Sequence, residues 1–65
     1  MARDPYAQER RALEIALANE QLSIREAALR IGVHHTALSR VLTGERNPSL
    51  ELSRVIRKRW GVVFG

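Results

Sequence analysis

The stretch Ile24 to Thr43, IREAALRIGVHHTALSRVLT, carries two helical apolar periods separated by one glycine, and that punctuation limits what the chain can become. At about 100° per residue, Ile24, Ala27, Ala28 and Ile31 share one side of a first helix. Ser23 and Glu26 have the spacing of a capping box, in which each side chain satisfies an orphan amide of the first turn. Gly32 follows the last apolar residue, where a left-handed C-terminal cap favours glycine, and Val33 returns to the core. Leu38, Val41 and Leu42 line one face of a second helix that Gly44 ends. Thr36, Ser39, Arg40 and Thr43 fall on the opposite face, with His35 at its edge. Ala27 and Ala28 sit where the two helices must cross closely; larger side chains there would push the second helix away.

The flanking segments read as support. Asp4-Pro5 predicts a helix start, because Asp caps and Pro is tolerated at the first helical position. That helix should run from Pro5 to Asn19 behind a frayed Met1 to Arg3. Leu13, Ala16, Leu17 and Ile15 are expected inward, and Glu9, Arg10, Glu14 and Glu20 in solvent. Asn19 to Gln21 forms a turn, and Leu22 staples onto the next helix. After the polar loop Gly44 to Asn47, either Asn47 or Ser49 can cap a last helix reaching Trp60, with Leu50, Ile56 and Trp60 inward. Gly61 stops it, and the apolar tail Val62 to Gly65 is too short to fold alone. The expected fold is all-α: one domain over residues 1–65, a compact bundle of four to five short helices.

Sixty-five residues bury only about 60% of the surface their unfolded form exposes, so every apolar side chain counts. Cysteine is absent, which rules out disulfides and thiolate metal sites and suits a reducing cytoplasm. No apolar run approaches the roughly 18 residues of a membrane helix, and no signal-peptide pattern opens the chain. Eleven basic residues against seven acidic ones leave a net charge of +4, which points to a polyanionic partner. The carboxylates are scattered, no serine sits in an elbow turn, and no glycine loop cradles phosphate; neither enzyme activity nor a cofactor is expected. His34 and His35 should diverge by about 100° if both are helical and have no further His or Cys beside them, so no metal site is expected.

With those residues in view, the segment resembles the helix-turn-helix of the phage-repressor and Cro-like family, with its lambda-repressor-like fold. Ala28, Gly32, Leu38 and Val41 match the family's pattern, and Gly44-Glu45-Arg46-Asn47-Pro48-Ser49-Leu50-Glu51 is similar to its loop into the next helix. The resemblance covers roughly Leu13 to Val62, most of the chain. The chain departs from it at Ile24, where the family often has a phosphate-touching glutamine, and at His34, where a serine or threonine usually caps the recognition helix.

The resemblance implies double-stranded DNA binding by a transcriptional repressor or regulator of phage or bacterial type. It would work in the cytoplasm of a bacterial cell or phage-infected host. Arg40 would read base edges, with Thr36, Ser39, Thr43 and His35 beside it, because arginine grips guanine O6 and N7 with two hydrogen bonds. Arg25, Arg46 and Asn47 flank that face and would reach phosphates. One recognition helix covers too few base pairs to select an operator, so a homodimer is expected. Leu52 and Val55, with Val62, Val63 and Phe64, form a second apolar stripe suited to a two-fold interface; the competing expectation is that the tail folds back over its own core. Two alternatives stand beside this reading: an antitoxin-like protein whose main task is to hold a partner protein, and the DNA-binding piece of a longer regulator.

Overall fold

Four helices follow one another in the computed structural model, which describes residues 4–64: α1 (Ala7–Asn19), α2 (Ile24–Ile31), α3 (His35–Thr43) and α4 (Leu50–Trp60). Met1 to Arg3 and Gly65, and the fraying expected of the former, lie outside the described residues. No strand occurs among the described residues.

Local chemistry explains most of the boundaries. Asp4 Oδ1 accepts from the Tyr6 amide at 3.0 Å, a side-chain turn that delays α1 to Ala7 instead of the expected Pro5. The Ser23 capping box forms as its spacing requires: the Glu26 amide donates to Ser23 Oγ at 3.1 Å and the Ser23 amide to Glu26 Oε1 at 3.3 Å. Gly32 adopts φ 73°, a left-handed conformation that a β-carbon disfavours, and the chain turns sharply from α2 into α3. Ser49 caps α4 by accepting from the Leu52 amide at 3.2 Å, which leaves Asn47 free for a different task.

The core draws on every helix. Leu13 and Leu17 come from α1, Ala27 and Ala28 from α2, Leu38, Val41 and Leu42 from α3, and Leu52 and Ile56 from α4. Helix α3 packs against both α1 and α2, so its inner face is enclosed while its outer face remains open. Leu22, Val33 and Trp60 close the margins, partly buried. Ile15 and Ile24, expected inward, are instead surface residues.

Helix α4 corrects the expectation most clearly. Leu50 was expected inward but is 70% exposed. Leu52 and Ile56, four residues apart, face the core and set the rotational phase of the helix; Leu50 at its first position is turned out. Past Gly61 the tail folds back onto the core. Val62 and Phe64 point in and Val63 points out. Ser53 Oγ donates to the Phe64 carbonyl at 3.2 Å, and the Phe64 ring lies 5.6 Å from the Tyr6 ring at 60°. Leu52, Val62 and Phe64, expected at a two-fold surface, are therefore part of the monomer's own core. A chain this small gains more from enclosing them, about 1.5–3 kcal/mol for a fully buried large side chain, than from holding them in reserve.

The second correction is Arg10, expected in solvent and found 5% exposed. Its Nε donates to the Val41 carbonyl at 2.7 Å, and its terminal nitrogens donate to Asp4 Oδ1, to the Arg46 carbonyl at 3.2 Å and to Asn47 Oδ1 at 2.8 Å. Carbonyls at a helix C-terminus lack intrahelical partners, and a planar guanidinium carries enough donors to serve several acceptors at once. One buried side chain thus ties the start of α1 to the end of α3 and to the loop that follows.

Candidate nucleic-acid interface

The open face of α3 begins at its N-terminus. His34 is the cap: its backbone is extended (φ −72°, ψ 141°), and its Nδ1 accepts from the Thr36 amide at 3.2 Å. An imidazole thus does the work usually given to a hydroxyl. Because His34 lies outside the helix, its ring does not diverge from that of His35. The two rings stack at 4.5 Å with 28° between their planes, contrary to the expected separation. Among the described residues no set of three metal-ligating side chains comes together there or elsewhere.

Two shallow hollows meet at His34. One brings Thr36 and Arg40 of α3 together with Arg46 and Asn47 of the following loop, over about 350 Å³. The other places Arg25 of α2 beside His35 and is lined also by Ala28, Leu29 and Val33. Of the expected contact residues, Thr36, Arg40, Arg46 and Asn47 therefore share one hollow and Arg25 and His35 the other, while Ser39 lines neither. Arg25, Arg40 and Arg46 are exposed, while His35, Thr36 and Ser39 are half-buried. Thr43 stands apart: it lines a groove on the α1 side, and its hydroxyl donates to the Arg40 carbonyl at 3.2 Å.

The loop is shaped by Gly44 and by Arg10. Gly44 has φ 85°, and the Arg46 amide donates back to the Arg40 carbonyl at 3.2 Å, which closes the end of α3. A β-carbon at Gly44 would meet only ordinary contacts, 3.6 Å to Asp4 Oδ2 and 3.7 Å to Arg10 Nε, so the demand for glycine is conformational. Arg10 then holds the Arg46 carbonyl and the Asn47 side chain from behind.

Chemically, the open face of α3 offers short hydroxyls, imidazole and guanidinium groups. Groups of these kinds can pair with base edges in a major groove, and guanidinium groups with phosphates. Two contributors were missed from the sequence. Ala37 is exposed beside Thr36 and lines the same hollow; its place next to Thr36 and three residues before Arg40 was the signal. Arg10 was readable as the position one turn before Leu13 on the inner stripe of α1, but its charge argued for solvent.

Residues 13–58 match a family model described as helix-turn-helix, which spans more than half the chain and contains α2, α3 and the loop just described. No curated protein and no solved structure gives a significant match.

Proposed function

The chain belongs to the Xre/Cro/C1-like helix-turn-helix family, a family of DNA-binding regulators, and from that premise we propose that it is a sequence-specific binder of double-stranded DNA acting as a transcriptional repressor. In this reading residues 1–65 are one DNA-binding domain of phage or bacterial type, working in the cytoplasm as a homodimer on a two-half-site operator. Helix α3 lies in the major groove. Arg40 reads a guanine, with Thr36, Ser39 and His35 alongside; Arg25 on one flank and Arg46 with Asn47 on the other grip phosphates. The observation that carries the reading is the grouping of Thr36, Arg40, Arg46 and Asn47 around one open hollow on the outer side of α3.

Dimerisation can draw on only part of the surface expected, since Leu52, Val62 and Phe64 are enclosed. Val63, 54% exposed, remains outside with Leu50 beside it, and Val55 is half-buried. The proposed contact is accordingly small and forms on the operator, where two half-sites bring the subunits together. Selection of bound sequences from random duplexes, followed by sedimentation with and without the selected site, tests this. A palindromic consensus carrying two chains is expected. A consensus with no internal symmetry, bound by one chain, would overturn the dimer. Failure to enrich any sequence would overturn specific recognition.

A further inference from the structure

We propose that Arg10, which does not face the hollow, is a positioning residue for DNA binding: it sets the orientation of the Asn47 amide so that only a donor is presented to the phosphate backbone. The inference rests on the DNA-binding reading above and adds to it a residue on the far side of the loop.

The argument begins with valence. A guanidinium carries donors and no acceptor, so the 2.8 Å bond between Arg10 and Asn47 must engage the amide oxygen, Oδ1. The amide cannot be turned over without placing two donors against each other. Nδ2, which is donor only, is then the end left for a ligand. Asn47 is exposed and shares its hollow with Arg40 and Arg46, the two cations of the proposed contact surface on that side. A phosphate oxygen accepts from Nδ2; an amide turned the other way would present oxygen to oxygen.

Arg10 is itself held to one place. It is 5% exposed, its Nε is engaged by the Val41 carbonyl at the end of α3, and Asp4 pairs with a terminal nitrogen. The Tyr6 ring lies 5.9 Å from the guanidinium carbon, and Phe64 of the tail packs on that ring. The same guanidinium binds the Arg46 carbonyl, which fixes the backbone from which the Arg46 side chain springs. The recognition helix and its phosphate-facing loop are thus referred to one buried group, and their spacing is preset before DNA arrives.

The substitution that isolates this role is Asn47→Asp. A carboxylate keeps the acceptor for Arg10, and adds an opposite charge to it, but replaces the outward donor with an anion. The melting temperature of Asn47→Asp should equal or exceed that of the wild type, while affinity for a mixed-sequence duplex at low salt, read by fluorescence anisotropy, should fall by roughly tenfold or more through like-charge repulsion. Asn47→Ala should lose less than Asn47→Asp. Arg10→Lys keeps the charge but not the fork. It should weaken duplex binding several-fold and lower the salt dependence, and the loss should shrink when Asn47 is already Ala, a coupling that a purely structural role would not produce. Asn47→Asp binding as tightly as the wild type, or Arg10→Lys losing the same affinity in both backgrounds, would overturn the inference and leave the DNA-binding reading standing. A wild type that binds no duplex at all would overturn both.

Discussion

Arg10 and Val41 are 31 positions apart in the chain, and the Arg10 Nε donates to the Val41 carbonyl at 2.7 Å in the interior. The bond crosses from the first turns of α1 to the last turn of α3, and its neighbours on the same guanidinium reach Asp4, Arg46 and Asn47. Arg10→Met should keep most of the buried volume and remove every one of these bonds, leaving the Val41 carbonyl with only its 3.3 Å bond from the Gly44 amide. Urea unfolding should show a loss of about 2–4 kcal/mol. Asp4→Asn should cost about 1 kcal/mol or less, because the Asp4 side chain is 38% exposed and its ion pair is screened by water. Equal losses for the two variants would mean that the ion pair, not the carbonyl bonds, holds Arg10.

The phase of α4 makes a sharp contrast between neighbouring leucines. Leu50→Ala should change stability by no more than about 0.5 kcal/mol, as expected of a surface site. Leu52→Ala, at 8% exposure, should cost about 2–4 kcal/mol. Phe64→Ala should cost about 3 kcal/mol and expose Tyr6. Thermal unfolding of the three variants at low concentration checks the order; a tolerated Phe64→Ala would show that the tail does not complete the monomer's core.

Gln21 has φ 56° in the turn after α1, a left-handed conformation that costs an L-residue roughly 1 kcal/mol or more. Gln21→Gly should therefore stabilise the protein, by roughly 0.5–1 kcal/mol after the added freedom of the unfolded chain is deducted. The side chain is exposed and gives up no buried contact. A lower melting temperature would mean that the unfolded-state term outweighs the strain.

On the recognition face, Arg40→Ala should cost about 1–3 kcal/mol on the preferred duplex and relax selectivity at one base position. Arg46→Ala should weaken all duplexes alike and reduce the slope of log K against log salt by roughly 1. Titrations at several salt concentrations, on the preferred site and on a scrambled one, separate the two behaviours. Uniform loss from Arg40→Ala would reassign it to the phosphate backbone.

Much of the architecture is legible in the sequence. The Ser23–Glu26 box, the Gly32 turn and the inner face Leu38, Val41 and Leu42 were read from spacing alone, because caps, turns and helical periods depend on residues within a few positions of one another. The outer face of α3 was legible for the same reason: it is the complement of a short apolar period. What spacing left open between Asn47 and Ser49 was an equality of local chemistry, and it was resolved at a distance, by Arg10 taking up the Asn47 oxygen while Ser49 caps α4.

The sequence by itself thus determined the helical kind of the elements, the turn between α2 and α3, and which side of α3 stays open, since each of these is a short-range property of the chain. Tertiary structure alone decided that Arg10 is interior, that α4 turns Leu52 inward and Leu50 outward, and that Val62 and Phe64 close the monomer's own core. The physical reason is common to all three. A guanidinium belongs inside only where enough acceptors converge, and those of Arg10 come from positions as much as 37 residues away. A helix with apolar residues on two sides, or an apolar tail with none of its own partners, is oriented by whichever surface the rest of the fold leaves uncovered.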